Sequence, residues 1–359
     1  MAVDLMMVGD VFPANVKYNE GNGVASRFFS HLGKPWERKL APFFQEADIV
    51  FANLEAPLVE DSGYAATHTF AGCKEFAGFL SNIGVNIVSI ANNHILEQQS
   101  EGFYSTLKYL EDSLVSWVGQ QVQGASNIKV LQRRGVRVGF AAFNGIQNLA
   151  NPGLVADLRE EDIVDSVGKM KAAQVDVCVI SLHWGDEYVN VPSMYQMDLG
   201  HRLIDAGADI IVGHHPHVVQ PVESYKNGLI FYSLGNFLFD ILWTRNVRTG
   251  AIARVRLSGT GIESYELMPV FLEKDYAPVR LNGSRLGTFQ RRLQRNSRNM
   301  SAAGDKYEAY YKRTQRLNRL WHRIAMKWSL FRNWRRLGRG VWRQLGMNVK
   351  GKLVKHHDR

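Results

Sequence analysis

Five short stretches of this chain carry the groups that hold divalent metals. They are Gly9-Asp10, Asn53-Leu54-Glu55, Asn92-Asn93-His94, His183-Trp184-Gly185 and Gly213-His214-His215-Pro216-His217. Imidazole nitrogens, carboxylates and an amide oxygen on one rim suit Mn²⁺, Fe²⁺ or Zn²⁺ better than Ca²⁺, which takes oxygen ligands only. Taken singly, each has a plainer reading. An aspartate after a strand commonly shapes a turn. Asn93 suits an Asx turn, and a lone histidine such as His183 is commonly a satisfied, partly buried residue. The histidines at 214, 215 and 217 resist that reading, because three imidazoles so close repel one another once charged. The five stretches make one centre only if the fold brings them together.

Short apolar runs at 3–9, 49–53, 87–90, 175–182 and 210–213 read as buried strands, and each of the five stretches lies where one of these runs stops. Helical patterns occupy 26–46 (interrupted around 33–35), 74–83, 100–112, 161–174 and 194–206. Such alternation implies parallel strands with helices over both faces. In open sheets of this kind, functional groups collect past the carboxyl ends of the strands. Two regions break the rhythm. Runs at 128–133 and 136–143 flank Arg134-Gly135 as a hairpin, and runs at 229–233, 251–257 and 262–268 form a further series of strands. The fold class is therefore α/β, and a sandwich of two mixed sheets accommodates both features.

The formal net charge of +9 hides an asymmetry. From Arg285 onward there are 21 Lys or Arg and 3 acidic residues, a net of +18, so the preceding 284 residues carry 22 basic and 31 acidic groups, a net of −9. The chain divides into a body over 1–280, a linker over 281–305 rich in Arg, Asn, Ser and Gly, and a basic amphipathic helical tail over 306–359. From Leu317 to Leu345 large apolar residues recur at helical steps, with tryptophans at 321, 328, 334 and 342. Tryptophan on one side and arginine on the other is the composition of a helix lying in an anionic membrane interface. Packing on the acidic body, or pairing of two chains, is the alternative use of that stripe. A sequence-reading nucleic-acid module is a poor match. Cys73 and Cys178 are too few for a disulfide framework and suit buried free thiols. No run reaches the roughly 18–20 apolar residues of a spanning helix, and Met1 leads straight into a strand pattern without a signal peptide. The expected location is cytoplasmic, with peripheral attachment to the inner face of the membrane through the tail.

Four motifs carry a family resemblance: Ala91-Asn92-Asn93-His94, His183-Trp184-Gly185-Asp186-Glu187-Tyr188, Gly207-Ala208-Asp209 through Pro221, and Tyr232-Ser233-Leu234-Gly235-Asn236-Phe237. Over about residues 3–270 the chain resembles the CapA family of poly-γ-glutamate capsule biosynthesis proteins, within the calcineurin-like metallophosphoesterase superfamily. The resemblance implies a four-layered α/β/β/α sandwich, here with a basic C-terminal helical extension, and one or two divalent ions. It implies metal ligands at Asp10, Glu55 (as a bridging carboxylate), Asn93, His183, His215 and His217, and a catalytic histidine at His94. His214, Glu97 and Glu187 would be outer partners or substitute ligands. Two positions depart from the pattern. Phe12 stands where a phosphoesterase usually has a histidine two residues after the first aspartate, and Glu97 stands where the family tends to have an aspartate.

Two classes of function follow. One is a metal-dependent hydrolase acting on a phosphate ester or an anionic polymer, in which His94 protonates a leaving group. The other is a non-catalytic accessory protein that binds polymer or membrane within a synthesis complex; Phe12 favours it, and the retained His94, His183, His215 and His217 favour the first.

Overall fold

The most apolar runs of the chain become strands buried on both faces, as parallel sheets covered by helices require. The computed structural model of the protein describes residues 2–16, 19, 22–31, 33–60, 70–146, 153–301 and 304–332. Chain order begins β1 (Val3–Val11), α1 (Val24–His31), α2 (Lys34–Phe44), β2 (Ile49–Leu54), α3 (Glu75–Asn82), β3 (Ile87–Ser89), α4 (Gln99–Asp112) and β4 (Ser116–Val118). It continues with β5 (Lys129–Arg133), β6 (Val136–Asn144), α5 (Glu160–Ala172), β7 (Val177–His183), α6 (Met194–Asp205), β8 (Ile210–His214), β9 (Val222–Tyr225) and β10 (Gly228–Phe231). The last elements are β11 (Asn236–Leu238), β12 (Thr249–Ser258), β13 (Gly261–Leu272), β14 (Pro278–Arg280), α7 (Gly283–Met300) and α8 (Gly304–Arg332).

Two sheets result. The first runs β14-β13-β12-β1-β2-β3-β4, with β11 also pairing β1; the second runs β9-β10-β8-β7-β6-β5. Neighbours from β1 to β4 are parallel, as are β6, β7, β8 and β10, whereas β5, β9 and β12 to β14 add antiparallel strands. The sheets face each other through one apolar core, in which the rings of Phe51 on β2 and Phe140 on β6 stack 5.7 Å apart. On the outer side of the first sheet, Phe28 of α1, Trp36 of α2 and Phe76 and Phe79 of α3 pack together. On the outer side of the second, Ile163, Val167 and Met170 of α5 join Leu199 and Leu203 of α6. The architecture is the α/β/β/α sandwich expected.

Two expectations need correction. The strands bearing chemistry do not share one sheet: β1, β2 and β3 lie in the first, β7 and β8 in the second. The run at 229–233 likewise joins the second sheet beside β8, while those at 251–257 and 262–268 join the first. Most of 281–305, expected as a linker, is helix α7. Its polar composition conceals a stripe at Leu286, Phe289 and Leu293, of which Phe289 is buried and Leu293 packs on the main core. Asn296 on the same face donates its amide to the Asn190 carbonyl at 2.9 Å, tying α7 to the body. The expected tail continues as α8 as far as residue 332; its remainder lies outside the described residues. No described helix is long and apolar enough to cross a membrane.

Candidate metal centre

Asp10 reaches the centre because β1 can approach the turn at 234–236 very closely. Gly9 packs so tightly there that an added Cβ would stand 1.8 Å from the Gly235 carbonyl oxygen, and Asp10 N–H donates to that same carbonyl at 2.9 Å. The Asp10 carboxylate is fully buried and surrounded by donors. Asn53 Nδ2 lies 2.9 Å and His214 Nδ1 3.1 Å from Oδ1, and His217 Nδ1 lies 3.2 Å from Oδ2. Burial alone would raise this carboxyl, but the hydrogen bonds from His214 and His217 hold it well below the usual carboxylate range. His215 and His217 take positive φ values of 92° and 56°, and Tyr188 one of 66°. Such backbone is costly for residues with a Cβ.

Glu55, just past β2, is the common member of two groups of ligand atoms. Asp10, Glu55 and His183 form one, and Glu55, His215 and His217 the other, with all atoms of each group within 4.8 Å. Glu55 Oε1 is buried with no hydrogen-bond partner, 3.7 Å from His217 Nε2 and 3.9 Å from His183 Nε2. Burial, then the charge of Asp10, pushes the Glu55 carboxyl well above its ordinary value. Burial also holds His183 far below the usual histidine range and His215 down to about 3, each helped by a neighbouring histidine, so both offer neutral imidazoles. His217 behaves oppositely: burial opposes its charge, but Glu55 and Asp10 push it up to about 10. An orphaned carboxylate oxygen between two imidazoles, and a buried His215 Nδ1 also without a partner, fit a divalent cation, which would neutralise the carboxylates and displace the His217 proton. The donor set suits Mn²⁺, Fe²⁺ or Zn²⁺.

Beyond β3, Asn93 stands between two histidines. Its Oδ1 lies 2.8 Å from His183 Nε2 and its Nδ2 3.0 Å from His94 Nε2. The other nitrogen of His94 faces Glu97 Oε1 at 3.1 Å. An amide NH₂ can only donate, so His94 Nε2 accepts and Nδ1–H donates to Glu97. His94 is partly exposed, lies beside Phe70 and Phe12, and belongs to neither ligand group.

All the residues expected from the sequence thus meet at one end of the sandwich, with some changes of role. His214, expected as an outer partner or substitute ligand, hydrogen-bonds Asp10 through Nδ1 and belongs to neither ligand group. Glu187, expected as an outer partner or substitute ligand, does not hydrogen-bond His183, nor does Asp186 beside it. His183 is held by Asn93, with Asn53 Nδ2 3.5 Å from its Nδ1. Glu187 acts by charge on Glu55, His217 and Tyr188. Asp186 faces α8 instead, where Tyr311 Oη donates to it at 2.5 Å, Arg319 Nη2 at 2.7 Å, and Gln315 also donates. Phe12 is no ligand; it stacks on Phe239 at 4.5 Å, which packs against the His217 ring at 4.7 Å.

Several contributors went unassigned at the level of sequence. Asn53 links Asp10, Glu55 and Asn92, and Asn236 Oδ1 lies 2.9 Å from His217 Nδ1. His322 of α8 stacks on Tyr188 at 4.5 Å and accepts from Trp243 Nε1 at 3.1 Å, while Tyr188 in turn lies 6.2 Å from the His217 ring. Burial and the nearby His217 charge push His322 down to about 4. Asn53 and Asn236 stood within motifs already noted; nothing in the spacing marked His322.

Close by, Asp240 is buried with Oδ2 accepting from Val16 N–H at 2.8 Å and Oδ1 unpartnered; burial pushes its carboxyl up to about 7. The folded protein therefore keeps this proton where the unfolded chain loses it, so stability falls as pH rises from about 4 to about 7. Asp240→Asn should flatten that slope and add roughly 2–4 kcal/mol at pH 8, with little change at pH 4, as measured by urea unfolding at both pH values. Equal slopes in the two proteins would contradict the assignment.

A two-sheet sandwich with carboxylates and imidazoles gathered past its strand ends is a metallophosphoesterase-like fold with a candidate divalent-metal centre. Residues 4–241 match the model of the bacterial capsule synthesis protein family PGA_cap, and the chain belongs to that family. It is 32% identical over 253 residues to the capsule biosynthesis protein CapA of Bacillus anthracis, covering 66% of this chain and 61% of that protein. It is 30% identical over 267 residues to the PGA biosynthesis protein CapA of Bacillus subtilis (strain 168), covering 71% of this chain and 70% of that one. The matches thus leave about a third of each relative's length unspanned. A novel phosphatase from Mycoplasma pneumoniae superposes with a TM-score of 0.50 at 11% identity, over 76% of this chain and 94% of the other, a likeness of fold.

Proposed function

We propose that this CapA-like protein is a metal-dependent hydrolase of capsule or envelope polymer biosynthesis, acting on a phosphate ester or an anionic polymer such as poly-γ-glutamate. The observation that carries this reading is the pair of ligand groups sharing Glu55, with the His94–Glu97 pair beside them. Asp10, Glu55, Asn93, His183, His215 and His217 would hold a divalent ion, which would supply an activated water and a clamp for phosphate or amide oxygens. The chain's own residues do the rest. His94 takes a proton on Nε2 and passes it to the leaving group, while Glu97 stabilises the resulting imidazolium through Nδ1. Phe12, Phe70 and Phe239 form an apolar wall that limits water at the site. The protein works attached peripherally to the cytoplasmic face of the membrane.

The second reading is an accessory protein that binds polymer within a synthesis complex, favoured by Phe12 packing where a further donor would stand. Purified protein should retain Mn, Fe or Zn in elemental analysis and hydrolyse at least one of a phosphomonoester, a phosphodiester and poly-γ-glutamate. His183→Ala should lower both metal content and turnover. If metal is bound and every one of these substrates goes untouched, the accessory reading replaces the hydrolase.

A further inference from the structure

Helix α8 has two working faces. Tyr307, Tyr311, Gln315, Asn318 and His322, at steps of four and three, turn toward the body. Tyr307 Oη donates to the Pro192 carbonyl at 2.6 Å, Asn318 Nδ2 donates to Asn190 Oδ1 at 3.1 Å, and Tyr311 and Gln315 hold Asp186. About a third of the circumference away, Leu317, Leu320, Trp321, Ile324, Trp328 and Phe331 form a second stripe, each between 42% and 62% exposed. Among the described residues, this helix holds nearly half of the large hydrophobic side chains that stand exposed. Arg316, Arg323 and Lys327 are exposed along the far edge of that stripe. Because the inner face is locked to the body, the apolar stripe cannot turn inward.

We propose that this outer stripe docks α8 flat on an anionic lipid bilayer, Trp321 and Trp328 seated at headgroup level and Arg316, Arg323 and Lys327 against lipid phosphates. The inference rests on the peripheral attachment proposed above and assigns it to one surface. Charge decides for lipid over a second copy of this chain. The only acids on α8 are Asp305 and Glu308, in its first turns, whereas Arg316, Arg323 and Lys327 flank the stripe. A second α8 would add like charge; an anionic bilayer supplies the counter-charge along the whole edge. Docking would also hold the loop after β7, which α8 clamps, near the membrane surface.

The test uses the full chain and co-sedimentation with phosphatidylglycerol vesicles, phosphatidylcholine vesicles serving as the neutral comparison. The wild type should bind the anionic vesicles, more weakly as salt screens charges over about 10 Å at 0.1 M, yet not lose them entirely. The exposed double substitution Trp321→Glu with Trp328→Glu should reduce vesicle binding about tenfold or more while metal content and circular dichroism stay unchanged. A double variant that binds as the wild type does would overturn this surface while leaving peripheral attachment standing. A wild type that ignores anionic vesicles at low salt would overturn both. If such a protein is a dimer that the substitutions dissociate, a second copy covers the stripe instead. Hydrolysis is not read in any arm, so these outcomes stand apart from the catalytic proposal.

Discussion

Glu55→Gln is expected to raise the thermal stability of the metal-free protein and to diminish the stabilisation that added metal confers. The two effects have one source. Glu55 is fully buried, faces the Asp10 charge, and leaves Oε1 without a partner. Glutamine has the same shape and brings no charge to bury, so the empty site gains. A carboxylate common to both ligand groups is nevertheless lost, so affinity should fall by at least the ~10–100-fold that even outer partners of a metal contribute. Each tenfold loss removes about 1.4 kcal/mol of metal-linked stabilisation at fixed metal concentration. Thermal melts with and without Mn²⁺ or Zn²⁺, together with elemental analysis, read both signs. A variant that keeps full metal content and the full metal-dependent rise in Tm would show that Glu55 is not the shared ligand.

His94→Ala is expected to separate turnover from metal binding. His94 is held by Asn93 on one side and Glu97 on the other, and it stands outside both ligand groups. Removing a general acid typically costs about 10²–10⁴ in rate, so turnover should drop on that scale while metal content is retained. Asn93→Ala, which takes away an oxygen 2.8 Å from His183 Nε2, should lower both. Glu97→Gln should slow turnover less than His94→Ala and shift its pH profile, because it alters only what stabilises the imidazolium. Parallel loss of metal and rate in His94→Ala would instead make His94 a ligand.

Much of this centre was legible in the sequence because backbone direction does the gathering. A strand that runs out of apolar residues ends at a sheet rim, and all parallel strands end on the same side, so Asp10, Glu55, Asn93, His183 and His215 could be placed together without coordinates. What periodicity could not show was the division of those strands between two sheets, since an apolar run has no mark for its neighbour. The amides were harder still. Asn53 and Asn236 look like ordinary turn residues, and their roles exist only through partners such as His217 that lie far along the chain. His322 carries no local signal, because its place against Tyr188 depends on how α8 crosses the finished body. α7 escapes notice for a different reason: burying Phe289 and Asn296 needs only one narrow stripe, and five arginines among its 18 residues outweigh it in composition.

The placement of β1 has a consequence for how the protein is made. β1 precedes every other described strand in the chain, yet it sits inside the first sheet, flanked by β2 and by β12, with Val3 to Met7 opposite Leu257 to Ala253. Asp10 likewise waits for His214 and His217, some two hundred residues later. Pairings this distant in sequence close slowly, so until β12 is made β1 keeps most of one edge open, a row of unpaired backbone groups beside apolar side chains. The family match ends at residue 241, before β12 begins. Within the segment that carries the ligands only β11 pairs that edge, at Asp10 and Val11, and the strand that shields Val3 to Met7 from joining other chains comes from the part of the sequence beyond the match.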